Sequence, residues 1–262
     1  MTDLDATLLG AAERAATDAA RAAADIIRRY YGQGVDVETK SDRSQVTVAD
    51  REAEQAIRDI LLGAFPDHGF VGEEFGEVDA QRDEVWLVDP LDGTKSFVRG
   101  YPFVSTQIAL VSRGRRVLGV SSAPMFDELA SAHALGPATL NGQDVSVSDV
   151  TSVADATLSI GNVSTLGASP AWSALGALAG EVHRLRGYGD FYHYHLLAAG
   201  KIDAVLESDV NILDIAALTV IVERAGGRFT DLRGGPVTRD TTTVLATNGH
   251  LHDALLSRLS AF

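Results

Sequence analysis

The stretch VWLVDPLDGTKSF, residues 85–97, constrains this chain more than any other. An apolar run of the kind that fills a buried strand ends directly in two carboxylates, Asp89 and Asp92, three positions apart. Pro90 biases Asp89 toward extended backbone and so places it on the last residue of the strand. Asp92 and Gly93 then read as a turn, and Asp92 or Thr94 can cap a short helix opening there. N–H groups at a helix start favour an anion. Two carboxylates beside an anion repel a phosphate unless a divalent cation intervenes, and hard cations such as Mg²⁺ take carboxylate, carbonyl and phosphate oxygens. Residues 89–93 alone leave two readings open, a strand-ending Asx turn and a metal-and-phosphate site.

Charge and composition narrow the partners. The formal net charge of −14 argues against a nucleic-acid backbone or an anionic membrane as partner. No apolar run approaches the ~18 residues of a membrane span. The alanine-rich N-terminus carries acids early and lacks a basic start followed by an apolar stretch, so no signal peptide is expected. The absence of cysteine removes disulfides, thiolate metal sites and cysteine nucleophiles together, and fits a cytoplasmic location.

At 262 residues the chain can form one large domain or two closely packed halves. Residues 4–31 read as one alanine-rich helix with Arg28 and Arg29 in its last turn, closed by Gly32. A polar segment follows. Helical spacing resumes at Ala53, Ala56, Ile57, Ile60, Leu61 and Ala64, ahead of Pro66. VWLVD, FVSTQIALV and RVLGVSSAP are strand candidates, separated by glycine and proline signals. The second half alternates strands (ATLSIGNVS, VHRLRGYGD, IDAVLE, RFTDL, TVLAT) with helices (SPAWSALGALAG, FYHYHLLAAG, ILDIAALTVIVERAGG, HLHDALLSRL). This mixture predicts stacked layers of helix and sheet. A division into residues 1–145 and 146–262 is expected, weakly signalled near 140–152.

Further acids change the balance for residues 89–93. Glu73 and Glu74 in FVGEEFGE precede Asp89 by some 16 residues, whereas Glu77 and Asp79 read as solvated loop acids. Asp214 stands in the first turn of an apolar helix, where it either complements the helix dipole or serves a site. GEE, then DPLDGTKSF, then an aspartate opening a helix that ends in AGG resembles the lithium-sensitive, Mg²⁺-dependent inositol monophosphatase superfamily. The resemblance runs in order from VTVAD at 46–50 to AGGRFTD at 225–231.

That resemblance implies an α+β fold, a layered αβαβα sandwich of the inositol monophosphatase and fructose-1,6-bisphosphatase type. It implies metal ligation by Glu73, Asp89, Asp92, the Leu91 carbonyl and Asp214, holding two or three Mg²⁺ ions. It implies phosphate binding by the amides of Gly93 and Thr94. The Thr94 hydroxyl, polarised by Asp50, would orient the attacking water, with Glu73 also at the catalytic centre. Metals would neutralise the phosphate, activate water and stabilise the leaving oxygen, without a covalent phosphoenzyme. Many members place tryptophan before the late aspartate, and this chain has Leu213, a difference of packing more than of chemistry. The family is commonly dimeric, so a homodimer is expected, with Arg184 and Arg186 as interface candidates.

Asp190, in RGYGDF, stands where inositol-cleaving members commonly carry a small hydroxyl residue. The GDF run resembles the histidinol-phosphate phosphatase branch. A carboxylate pairs well with the ammonium or imidazole of that ester, whereas inositol offers only hydroxyls. Glu207, seven positions before Asp214, matches the family's substrate-facing glutamate. Asp190 also reads as an N-cap for the helix that follows. His193 and His195 read as packing or surface residues, and His68 as structural. The expected partner is a small phosphate ester, histidinol phosphate first; inositol phosphate, fructose bisphosphate and 3′-phosphoadenosine nucleotides are the rivals. A catalytically silent metal-binding protein of this fold would be expected to have lost a ligand or Thr94, and here all are present.

Overall fold

Alanine-rich sequence forms the first helix, α1 (Ala6–Tyr30), because alanine loses the least conformational entropy in a helix. Asp5 caps it by accepting the Thr7 N–H at 2.8 Å. Its stripe of Leu9, Ala12, Ala16, Ala19, Ala23 and Ile27 is buried, so small side chains let the helix lie close on its neighbours. The computed structural model describes residues 5–34, 37–39, 45–169 and 172–259. The expected start of α1 at residue 4 lies outside them.

A short antiparallel pair, β1 (Val37–Thr39) and β2 (Gln45–Thr47), comes from the segment read only as polar. It leads into α2 (Val48–Ala64). Then come β3 (Gly69–Gly72), β4 (Gly76–Val78) and β5 (Glu84–Asp92), followed by the one-turn helix α3 (Thr94–Val98). The long strands β6 (Ser105–Ser112) and β7 (Arg115–Ala123) follow where expected. β8 (Glu128–His133), β9 (Ala138–Leu140) and β10 (Gln143–Val145) complete the first sheet. The second half runs β11 (Thr157–Ile160), α4 (Val163–Ala168), α5 (Trp172–Glu181), β12 (Arg184–Arg186) and α6 (Tyr192–Ala198). It continues with β13 (Ala204–Ser208), α7 (Ile212–Arg224), β14 (Arg228–Thr230), β15 (Thr243–Thr247) and α8 (His252–Arg258).

Eight strands form the first sheet in the order β10-β9-β8-β7-β6-β5-β3-β4, and five form the second in the order β12-β11-β13-β15-β14. Helices α1 and α2 cover one face of the first sheet through Phe70, Trp86, Ile108 and Leu118. Helices α6 and α7 fill the space between the sheets. Helices α4, α5 and α8 cover the outer face of the second sheet. The result is the expected α/β/α/β/α sandwich, with sheet faces buried on both sides. No helix among the described residues is long and apolar enough to cross a membrane.

Strand parity decides where the site falls. Along β5, Trp86 and Val88 point at the α1–α2 layer, while Val85 and Leu87 pack with Ala216 and Ala217 of α7. Asp89 shares the parity of Val85 and Leu87, so it emerges on the face toward α7, whose first turn carries Asp214.

At the far side of the second sheet, His252 is buried between the Thr230 and Thr247 hydroxyls, each 3.0 Å from a ring nitrogen. Burial, helped by the Arg228 charge, pushes its pKa from 6.5 down to about 4. The folded state therefore favours the neutral ring. Its contribution to stability is complete above about pH 6.5 and is lost as pH falls toward 4. His252→Asn is expected to flatten that limb of the pH dependence of the urea midpoint; an unchanged slope contradicts this.

Candidate active site

Four local devices bring the acidic side chains together. β5 does not stop at Asp89 as expected but runs on through Pro90 to Asp92, and the buried Asp89 carboxylate accepts the Leu91 N–H at 3.0 Å. A register shift against β6 between Asp89 and Asp92 then turns the chain, so that both carboxylates serve the same side. Gly93, not Asp92 or Thr94, holds the N-cap position of α3 at φ +90°, and a Cβ there would lie 2.4 Å from the Phe103 carbonyl oxygen, so only glycine fits. Asp214 is the third residue of a capping box: its two oxygens accept the Asn211 N–H at 2.9 Å and the Asn211 side-chain amide at 2.7 Å. The cap and the site readings of Asp214 thus coexist.

Asp50 repeats the same device at the start of α2. One of its oxygens accepts the Thr47 N–H at 2.8 Å and the Thr47 hydroxyl at 2.6 Å. The other faces the Thr94 hydroxyl at 3.0 Å. That hydroxyl also lies 3.1 Å from the Leu91 carbonyl oxygen, whose second lone pair is left for another partner.

One oxygen each from Asp89, Asp92 and Asp214 lies within 4.8 Å of the other two. Glu73 stands against Asp89 as a hydrogen-bonding neighbour and lines the same cavity. Burial pushes the Asp89 carboxyl well above the usual range, with Glu73, Asp92 and Asp214 raising it further. Asp92 is raised well above that range by burial first and then by Asp190 and Asp214. Asp214 is raised to about 7, chiefly by burial and against the opposing Asn211 hydrogen bond. Clustered acids that resist ionisation together are what a cation must complete. The donors are all hard oxygens and the chain has no cysteine, so the set fits Mg²⁺ rather than a thiophilic metal.

A cavity of about 220 Å³ opens over this cluster. Glu73, Asp92 and Asp214 line one side, and Gly93, Thr94 and Lys95 line the α3 side. Asp190 and Glu207 line the cavity too, and their charges help raise the Asp92 and Asp214 carboxyls. Asp190 does not cap α6: Phe191 holds the N-cap position, and Asp190 sits in left-handed backbone at φ +45°. Burial and the neighbouring Glu207 raise its carboxyl, while His193 and Lys95 oppose the rise. Glu207 is buried and accepts the Tyr194 hydroxyl at 2.6 Å, with His193 Nε2 at 3.1 Å.

Sequence reading missed several supports. Glu54 lies on the buried face of α2 and accepts the N–H groups of Glu74 and Phe75 at 2.7 and 2.8 Å, which fixes the loop carrying Glu73. The signal was present, since residue 54 shares the apolar side of α2 with Ile57 and Leu61. His193 and His195 are not surface residues; both are buried, each against a carboxylate. His195 joins Glu128 to Ser121, and Gln107 continues the chain through Ser105 to Asp92. His68 is structural, stacked on Phe65 at 4.8 Å and apart from the carboxylate cluster.

A layered sandwich with a hard-oxygen cluster beside a cavity is suited to metal-dependent chemistry on an anionic substrate. The sequence model of the inositol monophosphatase family matches residues 11–261. The chain belongs to that family, whose members are metal-dependent phosphatases acting on small phosphate esters, usually with Mg²⁺. It is 39% identical over 240 residues to a histidinol-phosphatase of Mycobacterium tuberculosis, covering 89% of this chain and 91% of the relative. It is 34% identical to an inositol-1-monophosphatase of Rhizobium meliloti, covering 87% and 88%. Among solved structures, the extragenic suppressor protein suhB from Bartonella henselae superposes with a TM-score of 0.87 at 32% identity, covering 94% of this chain and 97% of that one.

Proposed function

We propose that this phosphatase hydrolyses L-histidinol phosphate to L-histidinol and inorganic phosphate, as a step of histidine biosynthesis. The observation that carries the substrate reading is Asp190, which lines the same cavity as Glu207 and the carboxylates Glu73, Asp92 and Asp214. A neutral polyol gains little from two buried anions, whereas an ammonium or imidazolium group pairs with them. The inositol-1-monophosphatase relative keeps inositol phosphate as the rival ester.

In this reading Glu73, Asp89, Asp92, Asp214 and the Leu91 carbonyl hold two or three Mg²⁺ ions. When bound, Mg²⁺ supplies charge neutralisation, water activation and stabilisation of the leaving oxygen. The chain's own groups do the positioning. Asp50 accepts the hydrogen of the Thr94 hydroxyl, so the Thr94 oxygen is turned to accept from the attacking water and aim it at phosphorus. Amides of Gly93 and Thr94 hold the phosphate oxygens. Water oxygen bonds to phosphorus as the phosphorus–alcohol oxygen bond breaks, and the alcohol leaves with a proton. Residues 1–145 contribute most of the ligands, and residues 146–262 contribute Asp214, Asp190 and Glu207.

We extend the proposal to a homodimer working in the cytoplasm. Exposed Val98 and Tyr101, on the segment that leads into Phe103, are apolar surface that a protein partner could cover. A monomer mass by light scattering contradicts that part. The activity is tested by phosphate release after EDTA treatment. Hydrolysis of histidinol phosphate is expected to return with Mg²⁺ in the roughly millimolar range, for sites that keep several waters, and to fall on adding Li⁺. Full activity in EDTA contradicts the metal reading, and silence toward histidinol phosphate in saturating Mg²⁺ contradicts the substrate.

A further inference from the structure

His193 has no place in the mechanism above, yet it is buried at the back of the substrate wall with both ring nitrogens engaged. Its Nδ1 lies 3.2 Å from the Ser159 hydroxyl, and its Nε2 lies 3.1 Å from Oε2 of Glu207. The Tyr194 hydroxyl reaches the same Oε2 at 2.6 Å. The Ser159 oxygen accepts the Tyr188 N–H at 3.1 Å and can turn its own hydrogen toward His193 Nδ1. A neutral imidazole that accepts at Nδ1 must carry its hydrogen on Nε2, pointing at Glu207. The opposite tautomer would set a lone pair against a carboxylate oxygen. For the neutral ring, the Glu207 carboxylate, which can only accept, therefore selects the Nε2–H tautomer.

Both donors converge on Oε2, which leaves Oε1 of Glu207 as the free acceptor. That oxygen lies against Gly161, where a Cβ would come within 2.3 Å of it, so the wall is cut back to glycine beside this atom. Gly161 leads into Asn162, which lines the cavity together with Asp190 and Glu207.

We propose that His193, as its Nε2–H tautomer, is a positioning residue: with Tyr194 it pins Oε2 of Glu207 and presents Oε1 to the cavity. The wall then selects a phosphate monoester whose alcohol carries an ammonium or imidazolium group. The selection clause rests on reading this cavity as the substrate site, while the tautomer stands on the hydrogen-bond geometry alone. His193 touches neither substrate nor reacting atoms; it acts through Glu207. Charge-assisted hydrogen bonds of this kind also hold the side chain in one rotamer, so the acceptor is in place before the ester arrives.

Two readouts test this on the full chain. Long-range ¹H–¹⁵N correlation of histidine-labelled protein is expected to show His193 protonated at Nε2 and bare at Nδ1. A ring bare at Nε2 overturns the positioning claim. In kinetics, His193→Leu is expected to raise KM for histidinol phosphate about tenfold relative to KM for inositol 1-phosphate, with a much smaller change in kcat. His193→Gln, which keeps an N–H donor, is expected to recover part of that ratio. Ser159→Ala frees the ring to change tautomer without emptying the site, and is expected to move the ratio in the same direction by roughly threefold. It also serves if His193→Leu does not fold. An unchanged ratio in folded variants overturns the proposal. A wild-type enzyme without preference for the charged ester overturns the substrate reading instead, and the tautomer measurement separates the two failures.

Discussion

Asp89→Asn is expected to abolish Mg²⁺-dependent phosphate release while making the metal-free protein more stable. A metal centre supplies several kcal/mol of transition-state stabilisation, so losing a shared ligand costs on the order of 10³-fold in kcat/KM. Stability moves the other way because Asp89 is buried among Glu73, Asp92 and Asp214, which raise its carboxyl well above the usual range. Asparagine keeps the acceptor for the Leu91 N–H, 3.0 Å away in the wild type, and removes one charge from the cluster. A gain of about 1–2 kcal/mol, or roughly 3–6 °C in Tm, is expected without metal.

The pH dependence follows the same sign. A carboxyl raised in the folded state stabilises at acid pH, and that contribution is lost as pH climbs from the ordinary carboxylate range toward neutrality. Metal-free wild type should therefore lose stability along that climb more steeply than Asp89→Asn. Mg²⁺ should raise the wild-type Tm by linkage and leave the variant's nearly unmoved. Calorimetry with and without Mg²⁺ checks all three; a variant that is less stable without metal, or equally stabilised by Mg²⁺, contradicts the placement of Asp89.

Thr94→Val is expected to lower kcat by roughly 10²–10³-fold while leaving the Mg²⁺ dependence near that of the wild type. Its hydroxyl connects to Asp50 at 3.0 Å, and Asp50 is buried with its carboxyl raised chiefly by desolvation. The two residues form one unit, so their losses should not add. Asp50→Asn alone should cost a similar factor, since an amide cannot polarise the hydroxyl as a carboxylate does. The double variant should be little worse than either single one. Full additivity, or Thr94→Val within about threefold of wild type, would reduce this hydroxyl to a structural tie between Asp50 and the Leu91 carbonyl.

Much of the site was legible because its parts are local. Pro90 and Gly93 mark the end of a strand and a turn, and Asp50 and Asp214 each follow a capping residue by three positions, Thr47 and Asn211. Those cues fix where carboxylates sit on their own elements. That the elements meet is a tertiary fact, set by strand parity and by α7 packing across β5, β6 and β7. Sequence patterns fail where the partner is distant. His195 finds Glu128 on β8, a strand of small and polar residues with no alternation to announce it. His193 finds Glu207 across the layer between α6 and β13. Of the two readings of Asp190, the cap fails because the left-handed turn there gives that position to Phe191, while the carboxylate lines the cavity.

The most direct test of the substrate assignment compares kcat/KM of wild type and Asp190→Asn, in Mg²⁺, on histidinol phosphate, inositol 1-phosphate, fructose 1,6-bisphosphate and 3′-phosphoadenosine 5′-phosphate. The expected result is that histidinol phosphate leads and that Asp190→Asn removes this lead selectively, by about tenfold or more for a charge-assisted contact. If inositol 1-phosphate leads and the substitution leaves every ratio unchanged, the cavity does not read a cation and the histidinol-phosphate assignment is wrong.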